Sequence, residues 1–259
     1  MVFYLICFVL IIYIWTSIFF FYNPKLLHSI KSKRIDYSKH EFGFWLGAHR
    51  GGSAEGVENT LQNHLRAKEL NVSFWEMDVR LTKDQHVVVA HDKDLKRYWG
   101  IDKKFNQLNY DELPPIQDHL QLHFSDKYLD TTQFKDRKFP LFSDVWRELG
   151  DMPINIELKS NEDELMDQMY EIITKYNKQH QTVWGSVNKN CVQRMQKLYP
   201  EIPRFAASFE VYRCILAFFL LYLPFISIDF DTIQVPIVTA GFVHNLNREA
   251  KPSRLNCIR

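Results

Sequence analysis

One glycine-rich stretch constrains this chain more than any other. It runs Gly47-Ala48-His49-Arg50-Gly51-Gly52-Ser53-Ala54-Glu55-Gly56-Val57-Glu58-Asn59-Thr60, after the apolar Phe44-Trp45-Leu46 and before a helical pattern that begins near Leu61. That order reads as a strand, a loop and a helix start, with Asn59 or Thr60 as N-cap. Two further runs follow, Phe74-Trp75-Glu76-Met77-Asp78-Val79-Arg80 and Val87-Val88-Val89-Ala90-His91-Asp92. Each ends an apolar segment with acidic or imidazole groups. An α/β barrel keeps its chemistry at the carboxyl ends of its parallel strands, so all three runs are expected to be such strands.

Side chains two apart on a strand share a face. Glu76 and Asp78 therefore point together, and two converging carboxylates repel unless a cation joins them. The apolar neighbours Phe74, Trp75, Met77 and Val79 argue against a merely solvated charge pair. Glu157, near the end of the strand pattern 154–159, completes the set. Oxygen-rich sites of this kind suit Mg²⁺ or Ca²⁺.

The rest of the chain divides around these runs. Residues 3–22 are without charge, and about 20 apolar residues suffice to cross a bilayer. The run is too long for the apolar part of a signal peptide, and no Lys or Arg precedes it. A transmembrane anchor over 1–22 is expected. A basic linker over 23–43 follows, with Lys25, Lys31, Lys33 and Arg34, and positive charge stays cytoplasmic. The expected placement is a membrane protein with its domain in the cytosol, where the sequon at Asn71 is inert. The main domain spans 44–238. Within it, 92–140 is a polar, strand-poor insertion, and segments of that length are functional or mobile. Further strands are expected at 182–186 and 205–208. Leu165, Met169, Ile172, Ile173 and Tyr176 form a helical core stripe. Residues 214–228 are apolar and interrupted by Pro224; they read as a membrane-docking excursion, ahead of a buried barrel helix or a second span. A net charge of +1 leaves no basic excess for nucleic acid. Cys7, Cys191, Cys214 and Cys257 are not spaced as a disulfide framework or a metal site, which fits a reducing compartment.

The His49-Arg50-Gly51-Gly52…Glu58-Asn59-Thr60 pattern, Glu76-x-Asp78 and His91-Asp92, with the gaps between them, resemble the glycerophosphodiester phosphodiesterase family over about 45–238. The leading apolar segment is similar to its membrane-anchored, lysophospholipase D-type branch. The resemblance implies a TIM (β/α)8-type barrel. The tail 239–259 departs from the family pattern, so the barrel is expected to be incomplete at its carboxyl end. His49 and His91 are implied as the acid/base pair, with His91 alternatively in the metal's shell. Arg50 and Lys159 would hold phosphoryl oxygens. Glu58 would orient Arg50, touch the metal or cap the helix, and Asp92 would support an imidazole. The insertion would shape the substrate entrance. The implied reaction is metal-dependent removal of head groups from lysophospholipids at an endomembrane such as the endoplasmic reticulum. Alternatives are hydrolysis of soluble glycerophosphodiesters, a sphingomyelinase D-like activity, or a shortened, non-catalytic membrane protein. Oligomeric state is not legible.

Overall fold

The structure, a computed structural model, describes residues 2–27, 46–123 and 125–235. Most of the linker, Phe44, Trp45, the end of the expected domain and the 239–259 tail lie outside the described residues. The chain opens with α1 (Val2–Tyr22), which is apolar all round and has none of its residues buried. Among the described residues it is the one helix long and apolar enough to cross a membrane.

The domain alternates strands and helices. In order they are β1 (Gly47–Ala48), α2 (Leu61–Glu69), β2 (Phe74–Leu81), β3 (Val87–Val89), α3 (Lys96–Trp99), β4 (His119–Gln121), β5 (Tyr128–Asp130), α4 (Phe142–Leu149), β6 (Ile154–Leu158), α5 (Asp163–Lys175), β7 (Thr182–Gly185), α6 (Lys189–Leu198) and α7 (Ser208–Phe219). Parallel pairing runs β1-β2-β6-β7. Single parallel bridges, Trp184 to Arg204 and Phe205 to Thr232, continue the wall. Helices connect the parallel strands, as the crossover between such strands requires. This is the wall of a (β/α) barrel, as expected.

The central strand shows why the wall forms. Along β2, Trp75, Met77, Val79 and Leu81 are buried and join the core beneath the outer helices. That core includes Phe142 and Trp146 of α4, Met169 and Ile173 of α5, and Val192 and Met195 of α6. Burying side chains of this size contributes about 1.5–3 kcal/mol each. The alternate residues Glu76, Asp78 and Arg80 take the other face, which is the barrel interior. The α5 stripe is core at Leu165, Met169 and Ile173, with Ile172 packed at its margin.

Two expectations are corrected. The third run is not a parallel strand: β3 pairs antiparallel with β2, Val79 opposite Val89 and Leu81 opposite Val87. Only residues 82–86 separate them, enough for a hairpin and far short of a crossover. The polypeptide therefore doubles back, and Ala90 N–H bonds Asp78 O at 2.9 Å. The insertion is also more structured than expected. It carries α3 and a β4–β5 hairpin, and Leu95, Tyr98, Phe105, Ile116, Leu120 and Phe139 bury a core of their own against Val88 and Ala90. Residues 214–219 lie in α7, and no second span is present among the described residues.

Candidate active site

The glycine-rich loop bends where β1 ends. Arg50, Gly51 and Gly52 take positive φ values of 55°, 73° and 97°. The bend turns the Arg50 N–H onto Glu76 Oε2 at 2.7 Å. A Cβ at Gly47 would fall 2.1 Å from the Phe74 ring, so the ring packs directly on the glycine. Thr60, not Asn59, caps α2, its side chain accepting from Asn63 N–H. Asn59 is left to donate from Nδ2 to Asp78 Oδ2 at 3.3 Å.

Glu76, Asp78 and Glu157 come together as expected. Each offers an oxygen, and the three lie within 4.8 Å of one another. The β2–β6 register, which sets Asp78 opposite Glu157, makes this possible. Burial, then the charge of Asp78, pushes the Glu76 carboxyl well up. Asp78 is held low against its own burial, chiefly by Lys159. The Lys159 ammonium lies 3.1 Å from Asp78 Oδ1 and 2.7 Å from Glu157 Oε2. Glu157 Oε1 is buried with no hydrogen-bond partner. Three crowded carboxylates, one with its pKa pushed up by burial and a neighbouring charge and one with an orphaned oxygen, fit a hard divalent cation.

The histidines flank this group unequally. His49 stands at the rim, its side chain 67% exposed and Nε2 3.8 Å from Glu76 Oε2. The protein on its inner side, then the Arg50 charge, lowers its pKa to about 4, so the ring is neutral at neutral pH. His91 is more enclosed and binds Asp92 Oδ1 through Nδ1 at 2.8 Å. This leaves Nε2 for other work. Asp92 is held low, against burial, by hydrogen bonds from His91 and Arg97. It is the imidazole partner that the expectation named.

Thr60, not Glu58, caps α2. Glu58 sits in an ion-pair network. Arg97 donates to both its oxygens, at 2.5 and 3.1 Å, and Tyr98 Oη donates at 3.0 Å. Arg50 Nη1 is 3.4 Å away. The Arg50 guanidinium is 3% exposed and also lies 3.5 Å from Asp78, so it is set deep beneath the site.

Four contributors escaped sequence reasoning. Arg97 and Tyr98 come from the insertion. Arg80 donates to His91 O at 2.7 and 3.1 Å and to Lys159 O at 3.1 Å, tying the strand ends together. Its place two residues beyond Asp78 was a usable signal. His123, also from the insertion, sets its ring edge-to-face on His91, centroids 4.7 Å apart. Burial, then Arg50, lowers its pKa to about 4. His91, Asp92 and His123 could themselves crowd an ion, but Arg97 and His91 already occupy the Asp92 oxygens.

His49 and Glu76 open onto a cavity of about 400 Å³, lined further by Phe74, Asn155, Val183 and Thr232.

Comparison with known proteins gives this pocket its setting. Residues 49–210 match the model of the glycerophosphoryl diester phosphodiesterase family. Lysophospholipase D GDPD1 of Homo sapiens is 34% identical over 92% of this chain and 74% of its own length. Lysophospholipase D GDPD3 of Mus musculus is 31% identical over 83% of this chain and 63% of its own. Among solved structures, an Oleispira antarctica phosphodiesterase superposes with a TM-score of 0.52 at 24% identity, covering 67% of this chain and 71% of that one. The phosphodiesterase domain of a Mycobacterium tuberculosis protein reaches 0.54 at 14% identity, covering 69% and 65%. These two likenesses are of fold. A family model spanning residues 49–210 and a relative 34% identical over 92% of the sequence agree, and the chain belongs to the glycerophosphoryl diester phosphodiesterase family as a phosphodiester hydrolase.

Proposed function

We propose that this chain is a lysophospholipase D, releasing the head group of a lysophospholipid such as lysophosphatidylcholine or an N-acyl-lysophosphatidylethanolamine. The products would be lysophosphatidic acid with choline or an N-acylethanolamine. The observation that carries the reading is the Glu76–Asp78–Glu157 group set between two histidines, in a chain whose relatives at 34% and 31% identity are named lysophospholipase D.

Glu76, Asp78 and Glu157 would hold Mg²⁺ or Ca²⁺. Such an ion, when bound, supplies positive charge to the phosphoryl oxygens. Lys159, 15% exposed, faces those oxygens directly, and the deeper Arg50 adds charge from beneath. Neutral His49 accepts the proton of an attacking group. His91, steadied by Asp92 through Nδ1, presents Nε2 to the oxygen on the other side of phosphorus. Helix α1 anchors the chain, and the lysines after it place the domain in the cytosol, at an endomembrane.

The test uses purified full-length chain with lysophosphatidylcholine and either cation, scored by choline release. Glycerophosphocholine is run beside it. The expected result is cation-dependent release, faster from the lysolipid, that falls at least about 100-fold in His91→Ala and in Glu157→Gln. Equal rates on the two substrates would favour a soluble-substrate phosphodiesterase. Undiminished release in both variants would remove the assigned roles. Protease protection in intact vesicles tests the topology; a shielded domain would reverse it.

A further inference from the structure

Helix α7 has two faces of different kinds. Glu210, Cys214 and Ala217 are buried against the barrel. Glu210 is gripped by Arg204, which donates to both its oxygens at 2.8 Å. The other face carries Tyr212, Ile215, Leu216, Phe218 and Phe219, and continues through Leu220, Leu221 and Tyr222, all exposed. No charge occurs between 214 and 228. Soluble surfaces rarely leave so large an apolar patch uncovered. The turn is held from its base: Arg213 Nη2 donates to Ser227 O at 2.7 Å. Leu221, 66% exposed, takes a φ of 56°, a left-handed conformation in which a bulky residue is uncommon.

The patch is continuous with α1. Phe225, in the short turn Leu223–Phe225 that follows α7, packs edge-to-face on Tyr13 and Phe20, centroids 5.6 and 5.9 Å away. Those two residues are seven apart, about 10 Å along a helix. The turn therefore lies along the half of α1 nearer Tyr22. Any bilayer that α1 crosses reaches the same depth at the turn.

We propose that the outer face of α7 and the turn 218–225 insert into one leaflet of the bilayer beside α1, so that the domain is held at two points rather than tethered at one. The occupant is the acyl region of the leaflet on the domain's side of α1. A protein partner is disfavoured because it would have to cover α1 as well, a helix apolar on every side. A single span leaves a domain free to swivel on its linker; a second insertion fixes which way it faces.

The test needs no turnover, so it stands apart from the reading of the reaction. Full-length chain is reconstituted in phosphatidylcholine vesicles containing a phosphatidylcholine with a diazirine in mid-acyl chain, illuminated, and mapped by mass spectrometry. Adducts are expected both on Val2–Tyr22 and on 216–222. Adducts confined to Val2–Tyr22, or absent from both, overturn the proposal. In F219D/L220D, whose parent side chains are 75% and 67% exposed, the 216–222 adducts should fall several-fold. The α1 adducts and the unfolding midpoint in detergent should stay as they were. Unchanged 216–222 adducts in that variant would also overturn it.

Discussion

Among individual residues, His64 is the most exposed to acid without touching solvent. It lies in α2, fully buried, beneath Gly51 and 5.1 Å from the Trp75 ring centroid. Neither ring nitrogen has a hydrogen-bond partner. Burial, opposed in part by Asp78, lowers its pKa to about 3. The unfolded chain takes up a proton below about 6.5 that the folded one refuses. Stability is therefore undiminished above that pH and declines as pH falls from 6.5 toward 3, by about 2 kcal/mol at pH 5. Replacing His64 by Phe should raise stability at pH 7.5 by about 1 kcal/mol, the cost of two orphaned polar atoms being removed. The gap should widen by about 2 kcal/mol at pH 5. Urea midpoints of both proteins at the two pH values check this, and a gap independent of pH would mean that the ring is protonated inside the fold. His49 and His91 were legible in the sequence because each ends an apolar run. His64 was not, because an imidazole inside a helical pattern carries no mark of which way it points. His123 had no signal at all, since its role depends on where a hairpin folds.

Elements carry a different kind of information. The strands at 74–81, 154–158 and 182–185 were legible because their runs are apolar and bounded by turns, and the 3.6-residue stripe marked α5. The strand expected over 205–208 is a single bridge at Phe205, and Ser208 already opens α7. The antiparallel return of β3 was also legible in principle, from its short connection to β2, yet the histidine at its end suggested a parallel strand. The insertion was opaque because its core residues, Leu95, Tyr98, Phe105, Ile116, Leu120 and Phe139, follow neither a 2 nor a 3.6 period. It docks through α3: Arg97 bonds Glu58 in the loop, Asp92 after β3 and Gln121 O in β4. Arg97→Met would leave the buried Glu58 carboxylate without its two shortest charged contacts, with Tyr98 at 3.0 Å and Arg50 and Ser53 each at 3.4 Å. Breaking such a pair costs about 3–5 kcal/mol. The double variant E58Q/R97M should recover a good part of that, since the orphaned charge is gone. A double-mutant cycle on urea unfolding measures it. Additive losses would show that the pair does not hold the insertion in place.

The molecule as a whole is joined across its wall by the same carboxylates that the chemistry needs. Glu76 and Asp78 belong to β2 and Glu157 to β6, and their mutual repulsion opposes closure of the strand tips. Burial and the Asp78 charge raise the Glu76 pKa, and Lys159 relieves the repulsion between the other two. A divalent cation would relieve all three at once, stitching β2 to β6. Binding to the folded state alone stabilises it by about 2.7 kcal/mol at a hundredfold excess over Kd, which should raise Tm by about 5–10 °C in a domain of this size. Mg²⁺ or Ca²⁺ should produce that rise in the native chain and very little in Glu157→Gln. Because a bound cation would pull down the raised Glu76 pKa, binding should acidify a weakly buffered solution and should weaken as pH falls. Calorimetry in buffers of different ionisation enthalpy reads the proton directly. A Tm rise without proton release would place the ion elsewhere than among these three side chains, and no rise with either cation would leave Lys159 and Arg50 to hold the strand tips together.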